Sequence, residues 1–340
     1  MRKYEVDIDL ANETKKEMLD SLAANDSRVM NKAGAFASLY DITYCEYKNP
    51  LLVLKTEEPG SKQFIAVKYD RIESVCYDMI NHLINDCIVM GANPLTVQDA
   101  IICGKMNKEI VTRIVKAISN ACKEQGCVLT GGETSEQPKV IGNDAYILTS
   151  SIVGIVEKEN VIDGTKIKAG DVVIALESSG IHTNGYTLVR KIMEEYPDII
   201  NEKIMDKTFI DAILEPHRCY YKVLSDLFGE SHIIHGLAHI TGGGICENLN
   251  RILPNGLDAK INLSMYKVLD IFKVLRAYGN ISDSEMLRTF NLGVGMVLVA
   301  SREKSEEIIS HIEQKDVKCN IIGEIIKGSQ KVVCEGTLIW

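Results

Sequence analysis

The sequence predicts an α/β protein of two domains, in which layers of strands and helices alternate. Short apolar runs alternate with longer amphipathic segments along the first half of the chain. The length of 340 residues suits two domains that each bury a core. Residues 157–170 are polar, carry Gly164 and Gly170 and lack apolar periodicity, which is typical of a domain boundary. We therefore expect an N-terminal domain over residues 1–160 and a C-terminal domain over residues 170–340.

Periodicity and capping residues place the elements of the first domain. Apolar residues recur near a 3.6-residue period after Ile72, and Gly91 can end that helix. Asn107 can cap the next helix, and Gly126 suits the left-handed position beyond its end. The predicted order is a strand at Leu51 to Leu54, a strand at Phe64 to Val67, a helix from about Ile72 to Met90, a strand at Leu95 to Ile102, a helix to about Gln125, and strands at Cys127 to Leu129 and Tyr146 to Val156.

The second domain continues the alternation of strands and helices. The predicted elements are a strand at Val172 to Leu176, helices near Tyr186 to Glu195 and Asp211 to Phe228, and strands near Leu237 to His239, Met296 to Ala300 and Asn320 to Ile325.

Composition excludes several classes of protein. A net charge of −9 without a long Lys or Arg run argues against a nucleic-acid ligand. No stretch approaches the roughly 18 consecutive apolar residues of a membrane span, so we expect a cytoplasmic protein. The ten cysteines lie scattered in apolar segments without a CxxC pair, which indicates reduced thiols in a reducing compartment.

The segment Thr56-Glu57-Glu58-Pro59-Gly60-Ser61-Lys62 is the first that could carry chemistry. Two carboxylates, a glycine, a hydroxyl and a lysine could together hold a magnesium ion and a phosphate. An acidic hairpin loop is the alternative.

Two further polar segments follow in the first domain. Asp78, Asn85 and Asp86 lie within about two turns of one helix, and Asp86 interrupts an otherwise apolar stretch, which favours a metal or phosphate role over a polar helix end. Gly131 and Gly132 would let the backbone approach a ligand, with the Glu133 side chain pointing from the strand end. A tight turn without a ligand is the alternative for this second segment.

Two glycine-bearing links in the second domain each join an apolar strand to a predicted helix. They are Ser178 to Gly185 and Ala238 to Gly244, and such positions can bind a substrate phosphate at a helix N-terminus. His182 could transfer a proton near neutral pH. The remaining histidines considered are interpreted as structural: His82, His217, His232, His235 and His311.

In order along the chain, these motifs resemble those of the aminoimidazole ribonucleotide synthetase (phosphoribosylformylglycinamidine cyclo-ligase) family. The resemblance runs from about Val53 to Ile325. It rests on Asn85-Asp86 through Pro94, Gly131 to Thr134, Ser178 to Lys191, Ala238 to Gly244 with Glu247-Asn248, and Arg288 to Met296.

The resemblance implies an N-terminal domain that binds ATP and dimerises through its sheet, and a C-terminal domain that binds a ribonucleotide. It also implies that ATP activates the formyl oxygen of formylglycinamidine ribonucleotide, and that an amidine nitrogen then closes the imidazole ring with release of ADP and phosphate. The residues implied in catalysis are Lys62, Asp86 and His182. Those implied in binding ATP and Mg²⁺ are Glu57, Gly60, Ser61, Lys62, Asp78, Asn85, Gly131, Gly132 and Glu133, with Glu57, Asp86 and Glu133 as the metal ligands. Those implied in binding the substrate are Ser179, Gly180, His182, Asn184, Thr241, Gly242, Gly243 and Gly244.

The chain departs from the family pattern in its nucleotide half. Where the family usually has T-D-G-V-G-T-K, Pro59 removes an N–H that a phosphate could use, and Glu58 adds a negative charge. The segment Tyr4 to Asp9 is shorter than usual, and Ile147 stands where an Asp is usual. Two alternatives therefore remain: a paralogue of the same superfamily acting on another small substrate, and a binding subunit without catalysis.

Overall fold

The structure is a computed structural model, which describes residues 10, 13–14, 16–18, 26–31, 37–44, 46–229 and 233–340. These residues form two compact units. The first comprises the described residues within Met1–Cys87 and Asn93–Lys158, and the second comprises Ile88–Ala92 and the described residues within Glu159–Trp340. The segment Tyr4 to Asp9 and His232, which both carry sequence-based predictions, lie outside the described residues.

The first unit contains a four-stranded mixed sheet in the order β1-β4-β2-β3. Strand β4 is antiparallel to both β1 and β2, whereas β2 and β3 are parallel and are joined by helix α3. Such a parallel pair requires a long crossover connection, which is usually helical. The elements are β1 (Pro50–Glu57), α1 (Lys62–Lys68), α2 (Ile72–Ile88), β2 (Asn93–Cys103), α3 (Lys108–Glu124), β3 (Val128–Glu136) and β4 (Tyr146–Glu157).

Helices α2 and α3 form as their sequence pattern predicts. In α2, Val75, Met79 and Leu83 are completely buried and form part of the core. In α3, the Asn107 side chain accepts the N–H of Ile110 at 3.2 Å, which confirms the predicted cap. Gly126 has a φ of +74°, the left-handed conformation expected beyond the end of that helix.

Two predictions for the first unit are wrong. The predicted strand at Phe64 to Val67 is helix α1, whose buried residues Lys62, Ile65 and Ala66 follow a helical spacing while Phe64 is 58% exposed. A run of four apolar residues carries too little periodicity to separate the two structures. The strand predicted to end at Leu129 continues as β3 through Gly131 to Thr134, because the pairing with β2 persists across a register shift between Val97 and Gln98.

The second unit contains a six-stranded sheet in the order β12-β9-β11-β5-β10-β8. All of its neighbouring pairs are antiparallel except β12 with β9, which is parallel. The elements are β5 (Val172–Glu177), α4 (Tyr186–Glu195), the short strands β6 (Lys203–Ile204) and β7 (Lys207–Thr208), α5 (Phe209–Ile213), α6 (Tyr221–Leu224), β8 (Ile234–His239), α7 (Gly244–Asn250), β9 (Leu257–Asn262), α8 (Asp270–Gly279), α9 (Asp283–Thr289), β10 (Val294–Ala300), α10 (Ser305–Glu313), β11 (Cys319–Lys327) and β12 (Val332–Glu335).

The predicted helix over Asp211 to Phe228 is also wrong. The chain forms the short helices α5 and α6 there, with Pro216 in the irregular stretch between them. Proline lacks a backbone N–H and its ring clashes with the preceding turn, so a continuous helix cannot pass through this position without a kink. Among the helices that the structure describes, none has the length and apolar character needed to cross a membrane.

Candidate functional site

A row of residues crosses the sheet of the first unit and faces helix α2. Ser150 on β4 is the register partner of both Glu57 on β1 and Asp99 on β2, and Asp99 is in turn paired with Gly132 on β3. Partners in a sheet place their side chains on the same face. The Ser150 hydroxyl donates to the sulfur of Met79 at 3.3 Å, which identifies this as the face that α2 covers.

Glu57 and Asp86 lie at one end of this row, bridged by a lysine. The Nζ atom of Lys55 is 2.7 Å from Glu57 Oε1 and 3.0 Å from Asp86 Oδ2. The Nε2 atom of His82 lies 3.6 Å from the same Asp86 oxygen and 3.9 Å from Glu57 Oε1. Partial burial lowers the pKa of Lys55, but its hydrogen bonds to Glu57 and Asp86 outweigh that effect and raise the pKa above the usual value. The fold thus brings together two of the three carboxylates predicted as metal ligands, with a cation already between them.

Glu133 does not join this pair within the chain. Gly132 points toward Asp99, since a Cβ on Gly132 would lie 1.9 Å from Asp99 Oδ1. The next residue, Glu133, therefore projects from the opposite face of the sheet. It is exposed, and its Oε1 accepts the N–H of Thr134 at 2.9 Å.

Asp99 is the buried carboxyl of the row. Its side chain is 8% exposed, and burial raises its pKa to about 7 from the ordinary value of 3.8. Gly132 is required next to it, because any side chain there would collide with the Asp99 carboxyl. A carboxyl that titrates near neutral pH can exchange a proton under physiological conditions.

Lys62 and Asp78 form an ion pair in the core rather than an exposed phosphate contact. The Lys62 Nζ lies 2.9 Å from Asp78 Oδ1 and 2.8 Å from Asp78 Oδ2, and both side chains are 0% exposed. Asn85 is likewise completely buried. Lys62 anchors α1 to α2 through this pair, and its contact with a phosphate stays a prediction.

The loop before α1 follows the path that its residues require. Gly60 has a φ of +63°, a conformation that glycine adopts without strain. Pro59 is buried and Glu58 is exposed. Ser61 precedes the first turn of α1 without a side-chain capping bond.

In the second unit, the link from Ser178 to Gly185 is held by buried hydrogen bonds. The Ser178 hydroxyl lies 2.9 Å from the Gly180 oxygen, and Asn291 Nδ2 donates to the same oxygen at 2.9 Å. The Ser179 hydroxyl donates to the Pro216 oxygen at 2.6 Å. Gly185 has a φ of +85° and directly precedes α4. The link therefore ends at a helix N-terminus, as predicted.

The glycine-rich link from Thr241 to Gly244 lies beside the first one. Its Gly242 is close to Asn184, since a Cβ on Gly242 would be 3.1 Å from Asn184 Oδ1. Gly243 and Gly244 have φ values of +90° and +62°, and a Cβ on Gly244 would lie 1.9 Å from the Leu287 oxygen. Packing against the Leu287 oxygen thus requires glycine at position 244, and the left-handed backbone favours it at position 243.

Three histidines form a buried cluster at the base of these links. The rings of His182 and His217 stack with centroids 3.8 Å apart, and His217 Nε2 lies 2.8 Å from His239 Nε2. The N–H of Ser179 donates to His182 Nε2 at 3.2 Å. Ring nitrogens of the three lie within 4.8 Å of one another, a set that could hold a metal ion. Two imidazoles on a tetrahedral Zn²⁺ would hold their nitrogens about 3.3 Å apart, so the shorter separation of His217 and His239 indicates a shared proton.

Lys55, Asp99 and the pairing of His217 with His239 are absent from the residues predicted from the sequence. Asp99 gave a signal, because it is the only charged residue within the apolar strand β2. Lys55 also gave one, because it lies two residues before Glu57 and so shares its face of β1. No local pattern points to His217, which meets His239 only through the fold.

Comparison with known proteins agrees with both halves of the chain. A family model described as AIR synthase related protein, N-terminal domain, matches residues 39–156. A second, described as AIR synthase related protein, C-terminal domain, matches residues 168–335. The chain belongs to the AIR synthase family. The resemblance found in the sequence is therefore confirmed.

Curated relatives and solved structures support the same assignment. A phosphoribosylformylglycinamidine cyclo-ligase of Geobacillus thermodenitrificans is 40% identical over 304 residues, which cover 88% of this chain and 88% of the relative. One of Geotalea daltonii is 39% identical over 334 residues, covering 97% and 95%. A hydrogenase maturation protein HypE in complex with ATP has a TM-score of 0.69 at 15% identity, over 96% of this chain and 91% of that one. Thiamine-monophosphate kinase from Stenotrophomonas maltophilia has a TM-score of 0.65 at 14% identity, over 100% and 98%. At these identities the two structures show a shared fold only.

Proposed function

We propose that this AIR synthase family member is an ATP-dependent phosphoribosylformylglycinamidine cyclo-ligase, which forms aminoimidazole ribonucleotide in purine biosynthesis. The observation that carries the proposal is the similarity to curated cyclo-ligases. One is 40% identical over 88% of this chain, and another is 39% identical over 97% of it. The more distant structural neighbours, at 14% to 15% identity, share the fold with other activities.

The carboxylates of the first unit suit the magnesium and ATP that this reaction uses. Hard carboxylate oxygens are the preferred ligands of Mg²⁺. Glu57 and Asp86 already share one cation, the Lys55 ammonium, so their oxygens converge on a site for positive charge. We assign Glu57 and Asp86 as the residues that would hold Mg²⁺, which neutralises the charge of the triphosphate when bound. Lys55 is then the residue that holds the two carboxylates in position in the absence of the metal.

The adjacent links of the second unit suit the ribonucleotide. Ser179, Gly180, His182 and Asn184 belong to one link and Thr241 to Gly244 belong to the other, and each link precedes a helix. Backbone N–H groups at such positions favour an anionic phosphate group. The histidine cluster supplies a buried position where one proton can be held or passed, which ring closure by an amidine nitrogen requires.

The sheet of the first unit supports a homodimer. Leu52 and Leu54 on β1 are 53% and 70% exposed and lie on the face opposite Lys55 and Glu57. Exposed apolar side chains on a strand are typical of a surface that another chain covers. Glu133 projects from the same face of the sheet. Sedimentation of the wild type as a dimer and of Leu54→Glu as a monomer would support this part of the proposal, whereas a monomeric wild type would contradict it.

The nine described cysteines are free thiols, which supports a cytoplasmic location.

A coupled assay of ADP release with formylglycinamidine ribonucleotide, Mg²⁺ and ATP tests the proposal. We expect ADP release that depends on the ribonucleotide, with aminoimidazole ribonucleotide formed in equal amount. Absence of turnover at micromolar enzyme would contradict it. If ATP is hydrolysed only with another small substrate, the protein is a paralogue with a different reaction.

A binding subunit without catalysis is the second candidate, and one observation favours it. Lys55 occupies the position between Glu57 and Asp86, and Lys62 is buried against Asp78, so the lysines near the loop are already engaged. Calorimetry with Mg-ATP separates the two candidates. A catalytic protein should bind with a dissociation constant of about 1 mM or tighter, a binding free energy of roughly −4 kcal/mol.

A further inference from the structure

Two cysteines of the second unit, Cys246 and Cys334, place their sulfur atoms within hydrogen-bonding distance of each other. Cys246 lies in the first turn of α7, and Cys334 lies in β12, the edge strand near the C-terminus. Their sulfur atoms are 3.3 Å apart, and both residues are half-buried. A disulfide has a sulfur separation of about 2.05 Å, so a closure of about 1.3 Å would join them.

The surroundings of the pair favour reaction at Cys246. Its hydrogen bond with Cys334 lowers the pKa of Cys246 to about 7, although burial and the neighbouring Glu247 act in the opposite direction. The thiolate is the reactive form of cysteine, and it is substantially populated near neutral pH at such a pKa. Burial and the charge of the two nearby thiols raise the pKa of Tyr266, and among the described residues its hydroxyl has no hydrogen-bond partner. That hydroxyl is a donor available to an oxidised or ionised sulfur.

We propose that Cys246 and Cys334 are a redox-responsive pair, which hydrogen peroxide converts to an intramolecular disulfide between α7 and β12. The Cys246 thiolate attacks one peroxide oxygen, so that the S–O bond forms, the O–O bond breaks, and the departing hydroxide takes up a proton as water. The Cys334 sulfur, after losing its proton, then attacks Cys246 sulfur and displaces hydroxide, which leaves as a second water. Two thiols and one peroxide thus give one disulfide and two waters. A thiol reductant reverses the change.

The disulfide would act on the glycine-rich link through α7. Asn248 in that helix places its Nδ2 within 3.3 Å of the oxygens of Thr241 and Gly242 and 2.8 Å from that of Gly244. A displacement of the first turn of α7 toward β12 is therefore transmitted to this link. An effect on ribonucleotide binding rests on the proposed function, whereas formation of the disulfide does not.

Mass spectrometry of the full chain tests the chemistry directly. After mild peroxide treatment we expect the intact mass to fall by two hydrogens, and a peptide that joins Cys246 to Cys334 to appear in a non-reducing digest. Cys334→Ser should instead accumulate a sulfenic acid at Cys246 that dimedone labels. Cys219→Ser, which removes another half-buried thiol, is the matched control and should form the cross-link as the wild type does.

The proposal is overturned if the wild type yields no peptide joining these two cysteines, or if Cys246 pairs mainly with a different one. Because this result is read on the unmodified chain, it does not depend on whether a variant folds. In the cyclo-ligase assay, oxidation should raise the KM for the ribonucleotide at least threefold, reversibly with dithiothreitol, and leave Cys246→Ser unaffected. A cross-link with an unchanged KM would reject the regulatory consequence alone, and a cross-link in a protein without turnover would reject only the proposed function.

Discussion

Replacing Asp99 by asparagine should remove a large pH dependence from the stability of the first unit. In the folded chain burial raises the pKa of Asp99 to about 7, against 3.8 for the ordinary carboxyl of the unfolded chain. Between these values the folded chain holds a proton that the unfolded chain has released. The contribution is therefore complete below about pH 4, and the free energy of unfolding falls as the pH rises toward 7. A shift of about three pKa units at 1.36 kcal/mol each corresponds to a loss of about 4 kcal/mol.

An amide resembles the protonated acid in shape and stays neutral, so Asp99→Asn should match the wild type near pH 4, where the acid is protonated in both states, and exceed its stability by about 4 kcal/mol near pH 8. Urea denaturation of both proteins in metal-free buffer between pH 4 and pH 8 measures the difference in the free energy of unfolding, with hydrogen exchange of peptides from the first unit as the signal. Glu133→Gln, which alters an exposed carboxylate on the adjacent strand, is the matched control and should keep the wild-type pH dependence. The reasoning would be refuted if the difference between Asp99→Asn and the wild type were constant from pH 5 to pH 8.

Further predictions concern Lys62, which pairs with Asp78, and the carboxylates of Glu57 and Asp86, which pair with Lys55. Lys62→Met should destabilise the protein by about 3–5 kcal/mol, because it leaves Asp78 charged in the core, whereas Lys68→Met on the exposed side of the same helix should change stability by less than about 0.5 kcal/mol in thermal unfolding. Equal effects of the two lysine variants would contradict the buried pair. Glu57→Gln and Asp86→Asn should each reduce ATP-dependent turnover at least tenfold, on the order of 1.4 kcal/mol in the barrier, with unchanged circular dichroism. A silent Glu57→Gln would remove that residue from the metal site.

Elements with a strong periodic pattern could be predicted from the sequence. Helix α4 runs over Tyr186–Glu195 as expected, and the cap at Asn107 is present. The failures are local. Four apolar residues beginning at Phe64 fit a strand or a helix equally well, and only the buried spacing of α1 decides between them. The apolar period over Asp211 to Phe228 is typical of one helix, but Pro216 interrupts it and two short helices form instead.

Residues of the candidate site could be predicted where they belong to a local sequence motif, but not where they meet only in the fold. The resemblance implies Glu57, Asp86 and Glu133 as metal ligands, and the structure brings Glu57 and Asp86 together at Lys55. The sequence does not show that Glu133 lies on the other face of the sheet from Glu57. That face depends on the register of β3 with β2, which a bulge sets. Lys62 is predicted to bind a phosphate. In the fold it also pairs with Asp78 of the following helix, and no local sequence pattern reveals that pairing. The histidine cluster depends on three separate segments meeting in the fold.

The central claim is that this chain closes the imidazole ring of its substrate at the expense of ATP. The most direct measurement is turnover by the purified protein with formylglycinamidine ribonucleotide and Mg-ATP. Both ADP and aminoimidazole ribonucleotide are quantified. We predict that they form in a one-to-one ratio and that Asp86→Asn suppresses both. ADP formation without aminoimidazole ribonucleotide, or at a rate independent of the ribonucleotide, would contradict the claim.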